Sequence, residues 1–425
     1  MRRVLLIAYH FPPLSGSSGL QRTLRFAQYL PEFDWQPIVL SVRAGAYEQS
    51  DERSLAQVPS GCEVVRTRCL DARRQLSILG RYPSFVAIPD RWASWRFWGV
   101  RTGLRLCREG AGIKALWSTY PIATAHAIGS ALAKRTGLPW IADFRDPMAQ
   151  NGYPADPRRW QAFKRIEESA AAHAARLVFV TPSALEMYRE RYPQTPSEHF
   201  VLLENGFDEA SFGGLTGAAQ GPRTGTPVLL HSGIVYPMER DPSALFQALG
   251  SLAAMDTIRP GDFLLRFRAP VHDDLLRELA TQHGVEAFVD IQPATSYRDA
   301  LREMMEADAL VVMQGAGCNE QIPAKVYEYL RAGRPILGFT DPAGDTGRML
   351  TRLGFPFVTS LESAEAIAHV LPAFLHALRS GTLPVADRAV VDLYSRRELT
   401  RQFARLLDQV VGPQAAPETF NSLRR

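Results

Sequence analysis

The chain has 425 residues, 46% hydrophobic and 22% charged, with 31 Gly and 30 Pro, a globular composition that excludes disorder, collagen-like repeats and long coiled coils. That length exceeds one comfortable domain and predicts two, each able to bury its own core. The net charge of +4 is too small to argue for nucleic acid, and it is uneven, with 27 Arg and Lys against 20 Asp and Glu in residues 1–210 and 21 against 24 in residues 211–425.

In chain order, Met1, Arg2 and Arg3 with the apolar run 4–9 imitate a signal peptide until His10, Pro12 and Pro13 stop it, so 4–9 reads as a buried first strand. A Pro/Gly/Ser loop, a helix over 20–30 and a strand over 37–42 follow. The rhythm continues with strands 115–118, 139–143 and 177–181 and helices 122–135, 157–175 and 182–191, the pattern of a parallel sheet with crossover helices. The Gly-rich stretch 213–225 (GGLTGAAQGPRTG) reads as an exposed linker or long loop. Strands then recur at 228–232, 263–268, 289–292, 310–314 and 335–339, with helices at 242–252, 271–283, 297–307 and 324–332. A last helix over 395–411 carries Leu399, Phe403, Leu406, Leu407 and Val410 at helical spacing, and the tail from Pro413 reads as disordered. The predicted organisation is an α/β N-terminal unit (1–205), a linker (206–226), an α/β C-terminal unit (227–385), a terminal helix (386–412) packing back across the domains, and a tail (413–425). Two such units place a ligand cleft at the carboxyl ends of their sheets. The four cysteines form no CxxC pair and suggest a reducing, cytoplasmic setting, and no apolar run is long enough for a membrane helix.

The segment 315–337 is the most informative. It leaves a strand, crosses a Gly-rich loop, enters a helix near Pro323, ends it at Gly333 and re-enters a strand. A loop feeding a helix start offers backbone N–H groups and a positive dipole end suited to phosphate. Glu320 in the loop and Glu328 in the helix supply carboxylates of the kind that grip vicinal diols. Lys325 stands out because the chain has 4 lysines against 44 arginines, and it is the only one after Lys164. The plain alternative is an i,i+3 surface pair of Lys325 with Glu328.

Four further segments carry chemistry. Residues 9–22 include Gly16, Ser17, Ser18, Gly19 and Arg22, small residues that let backbone approach a ligand, or a simple tight turn. Asp143, Arg145 and Asp146 at a strand's carboxyl end either face a cleft or lock one another. Residues 231–242 open the second unit with Gly233 after a strand and Arg240 seven residues on; Arg240 suits an anion, or pairs with Asp241 in a turn. Residues 81–108 hold six arginines and one acid, with Trp92, Trp95 and Trp98 at three-residue spacing beside Phe85 and Phe97. A helix there is either an interfacial helix on anionic lipid or a core-facing aromatic stripe with a solvated basic face. No Asp, His or Cys cluster has metal-ligand spacing.

The form IPAKVYEYLRAGRPIL, with glutamates eight residues apart across a loop-to-helix junction, resembles the donor-binding signature of retaining glycosyltransferases of the family-4 type, in a bacterial branch acting on surface polysaccharide or related glycans. The resemblance spans most of the chain and implies the GT-B fold, two Rossmann-like parallel-sheet domains facing a central cleft. It implies that Glu328 binds the ribose of a nucleoside-diphosphate sugar and that Glu320 lies against the donor sugar. Gly315, Ala316, Gly317, Cys318, Asn319, Ile322 and Pro323 would line the donor, with Gly233 as the phosphate-facing turn and Arg240 and Lys325 stabilising the departing diphosphate without a metal. The N-terminal unit would hold a glycan or lipid-linked acceptor near Gly16–Gly19, Arg22, Asp143, Arg145 and Asp146. This chain departs from the family pattern where Ile234 stands in place of an expected Arg and Arg145 in place of a cleft histidine. A nucleotide-sugar epimerase of the same architecture, or a non-catalytic nucleotide-sugar- or glycan-binding protein, are the other functions compatible with these residues. No further cofactor is expected, and the basic segment 81–108 would give peripheral contact with the membrane's inner face.

Overall fold

The computed structural model describes residues 1–15, 19–77, 81–108, 112–215 and 225–412. Most of the 213–225 stretch, the tail from Pro413 and the candidate residues Gly16, Ser17 and Ser18 lie outside them. The chain divides into two compact units, one of 1–180, 185–203 and 399–425, the other of 181–184 and 204–398.

In the first unit the described strands are β1 (Arg2–Ile7), β2 (Trp35–Val42), β3 (Glu63–Thr67), β4 (Ile113–Thr119), β5 (Trp140–Arg145), β6 (Arg176–Phe179) and β7 (Phe200–Leu202). All pair in parallel, in the order β3-β2-β1-β4-β5-β6-β7. β1 is apolar on both faces because helices cover both, and Val4 to Ile7 are fully buried. The expected terminal helix spans Arg396–Val411 and returns to this unit. Its Leu399, Phe403, Leu406 and Leu407 enter the core, and Phe403 stacks on Phe26 at 4.5 Å. Asp408 anchors it by pairing with Arg2 and accepting from Trp35 Nε1.

The second unit has β8 (Val228–Ser232), β9 (Leu264–Arg268), β10 (Val289–Gln292), β11 (Ala309–Met313), β12 (Ile336–Phe339) and β13 (Val358–Thr359), again parallel, in the order β10-β9-β8-β11-β12-β13. Apolar clusters fill both faces, Phe246, Phe267 and Phe374 in one, Tyr327, Leu330 and Leu350 in the other.

Each sheet reverses its strand order once, between β1 and β4 and between β8 and β11. Neighbouring loops leave in opposite directions at such a point and open a crevice beyond the strands' carboxyl ends, where open α/β sheets take ligands. The segments 8–19, 233–242 and 314–323, singled out by composition, follow β1, β8 and β11.

Candidate functional site

At the switch point of the second unit, Gly233 follows β8 with φ +112°, a left-handed backbone that a side chain rarely tolerates. A Cβ there would stand 3.1 Å from Lys325 Nζ, so the missing side chain leaves the space that the ammonium fills. Lys325 sits in the first turn of the Ala324–Ala332 helix, and its Nζ lies 3.2 Å from His231 Nε2. His231 is fully buried on β8, with Nδ1 3.0 Å from the Val311 carbonyl. A carbonyl only accepts, so Nδ1 carries the proton and Nε2 offers its lone pair to the lysine. Burial, reinforced by the charge of Lys325, holds His231 well below the ordinary histidine value. Burial also pushes Lys325 well below the ordinary lysine value; the like charge of Arg240 adds to this and Glu328 opposes it.

Arg240 donates to the Ile234 carbonyl at 2.8 Å and lies over the Tyr236 ring. The turn pairing with Asp241 does not form; Asp241 accepts from Ser243 instead. Among the described residues neither Lys325 nor Arg240 has an ion-pair partner. Nor do Lys325 and Glu328 make the surface pair: Glu328 Oε1 accepts from Tyr297 at 2.7 Å, and burial raises the Glu328 carboxyl above the ordinary range. Eight residues before it, the Glu320 carboxylate has no hydrogen-bond partner among the described residues.

The 315–323 loop corrects one expectation. Its amides were to be free for phosphate, but Gly315 donates to the Glu239 carbonyl at 2.8 Å and Ala316 to the Glu362 carboxylate at 2.8 Å, while Cys318 and Asn319 close a tight turn onto Gly315 and Ala316. Gly315 is needed for this contact, since a Cβ would meet Glu239 O at 3.1 Å. Gln314, buried beneath, braces the loop through the carbonyls of Cys318 and Gln321. Asn319 donates to Asp341 at 2.5 Å. Ile322 is buried, and Pro323 caps the helix start. The amides without an intrahelical acceptor are those of Ala324 and Lys325 at the helix start. His231, Glu362 and Gln314 were not anticipated; only packing reveals them.

In the first unit the acidic and basic residues at the end of β5 separate into two roles. Asp143 is fully buried and accepts from Arg22 Nε at 2.6 Å, while Arg22 also donates to the Leu203 carbonyl at 2.9 Å. This is a closed lock, with Arg22 rather than Arg145 as the partner. Arg145 takes φ +58°, strained for a non-glycine residue, and its guanidinium reaches the carbonyls of Gly19 at 3.3 Å and Tyr120 at 3.4 Å. Asp146 beside it has no side-chain hydrogen bond among the described residues, and burial raises its carboxyl. Next to them burial and Arg145 lower His10 to about 4, so its ring is neutral at pH 7.

Residues 19–206 match the model of the glycosyl transferase 4-like domain. HepE of Anabaena, solved with UDP, superposes with a TM-score of 0.65 at 13% identity, covering 96% of this chain and 100% of its own. Sucrose-phosphate synthase of Thermosynechococcus elongatus gives 0.61 at 13%, covering 96% and 99%. WaaG, a glycosyltransferase involved in lipopolysaccharide biosynthesis, gives 0.60 at 15%, covering 97% and 100%. No curated protein matches the sequence. Residues 19–206 thus carry the likeness to the glycosyl transferase 4-like domain, and the two-sheet GT-B fold of these solved structures extends over nearly the whole chain.

Proposed function

We propose that the second unit binds a nucleoside-diphosphate sugar at its switch point, and that the enzyme passes the sugar to a glycan or lipid-linked acceptor bound by the first. The observation that carries this reading is the pair Lys325 and Arg240, two cations by the Gly233 turn with no ion-pair partner among the described residues. Their mutual repulsion is relieved by a diphosphate, which the free amides of Ala324 and Lys325 also suit. Glu328 takes the ribose hydroxyls and Glu320 the donor sugar, the assignment that the family likeness suggests.

In the reaction the bond from the anomeric carbon to the diphosphate oxygen breaks and the acceptor oxygen bonds to that carbon, its proton passing to the departing diphosphate. Charge builds on the departing diphosphate, and Lys325 and Arg240 stabilise it in place of a metal. Retention of configuration rests on the family likeness alone. On the first unit Arg145, Asp146 and His10 are the groups assigned to the acceptor, while Arg22 and Asp143 hold the strand end in place. Action on surface polysaccharide at the cytoplasmic side fits this reading.

UDP and UDP-glucose, the ligands with which HepE was solved, are the first to titrate calorimetrically. Wild-type protein is expected to bind one of them, and Lys325→Met to weaken it at least tenfold, as losing a charged hydrogen bond of about 1.5–3 kcal/mol requires. Undiminished affinity in that variant removes the assignment.

A further inference from the structure

The Trp95–Arg108 helix and the Ala123–Thr136 helix pack through two glycines. A Cβ on Gly99 would stand 2.6 Å from Ile128 Cδ1, and one on Gly103 2.5 Å from Leu132 Cδ1. With Trp95 and Leu106 also buried, that face of the first helix is committed to the core. Trp95 donates to Thr67 at 2.9 Å, Trp92 precedes the helix and packs on Tyr9, and Trp98 is half-buried against Phe97, so of the two readings of their spacing the tryptophans do not take the exposed one.

What the helix exposes instead is Phe97, Arg101 and Arg108, with half-buried Leu104 between them, at i, i+4, i+11 and i+7, one line along its surface. Together with Arg135 of the neighbouring helix they border an open groove of about 980 Å³. Five of its lining residues are arginines, and no carboxylate among the described residues lines it. Several arginines elsewhere in this chain are matched by acids, as Arg191 is by Glu167, Arg268 by Glu303 and Arg331 by Glu209. Here Arg96, Arg101, Arg108 and Arg135 form no ion pair among the described residues. The floor is apolar, with Val100 and Ala131, and Phe97 is 66% exposed.

A free polyanion would satisfy the guanidinium groups and leave Phe97 in water; an apolar partner would cover Phe97 and strip water from four charges. A surface with phosphates above hydrocarbon satisfies both. We propose that this groove docks the enzyme on a membrane surface rich in anionic phospholipid, Phe97 entering the interface and the arginines meeting lipid phosphates. The proposal stands independently of the donor site.

The test is flotation of the full chain with vesicles of phosphatidylglycerol and phosphatidylcholine, against phosphatidylcholine alone, over a range of salt. Wild-type protein is expected to float with the anionic vesicles only, and less as salt rises. The double variant R101Q/R108Q should lower partition about 25-fold, from about 1 kcal/mol per basic residue at the surface. Phe97→Ser should lower it too, with melting temperature and UDP titration as wild type. The proposal is overturned by absence of flotation, by equal flotation with neutral vesicles, or by folded variants that float as well as wild type. Retention on heparin that Phe97→Ser leaves unchanged, without flotation, would assign the groove to a soluble polyanion instead.

Discussion

At the scale of single residues, the second-unit site is a question of where charge goes. Lys325 has a neutral imidazole as its near partner and Arg240 as a like-charged neighbour, so its proton is weakly held until an anion arrives. A diphosphate beside the amine strengthens its hold on that proton. Nucleotide binding is therefore expected to take up a proton and to weaken as pH rises through the depressed lysine value. Calorimetry in buffers of different ionisation enthalpy reads this directly, and Lys325→Arg should abolish the buffer dependence. Glu328→Gln keeps shape and loses charge; donor affinity should fall about tenfold or more, as a lost charged hydrogen bond implies, with melting unchanged. Lys325 was legible in the sequence because lysine is rare in this chain and the position opens a helix. His231 was not: a histidine in a buried strand declares neither its face nor a partner 94 residues away. Likewise Arg22 was read as a loop-side ligand residue, and only the fold shows that it neutralises Asp143.

At the scale of elements, interior strands and amphipathic helices were legible because burial on both faces writes continuous apolar runs. The Pro182–Arg191 and Ala324–Ala332 helices and the strands β8 and β10 fall at the expected residues. The strands that escaped, β3, β7 and β13, lie at sheet edges, where they are short and one side is unpaired, so little apolar pattern is needed. The Asp345–Arg352 helix also escaped. It packs against the turn before it so closely that a Cβ on Gly347 would stand 2.2 Å from the Asp341 carbonyl, a backbone atom with no room to yield. Gly347→Ala is expected to destabilise the second unit by about 1–3 kcal/mol, the cost of overpacking, measurable by urea denaturation. Because Asp345 N–H donates to the Asn319 carbonyl at 2.8 Å, the same variant should loosen the 315–323 loop and weaken nucleotide binding as well.

At the scale of the whole molecule, the chain leaves the first unit at Leu203 and supplies the last helix of that unit after completing the second. Composition predicted a terminal helix packing back across the domains, but a helix's apolar stripe does not name the core it enters. Phe403→Ala removes a fully buried ring stacked on Phe26 and near Trp117, and should cost about 3–5 kcal/mol, seen as an early transition in tryptophan fluorescence. The first unit should also be acid-sensitive. Burial lowers His126 to about 3, so an unfolded chain takes up that proton near pH 6.5 while the native one refuses it, and stability is lost as pH falls from 6.5 towards 3. The most direct measurement of the central claim is a crystal structure of the full chain with UDP. The diphosphate is expected against Lys325 Nζ and the start of the Ala324–Ala332 helix, with the ribose on Glu328. Nucleotide bound elsewhere, with Lys325 still facing only His231, would contradict it.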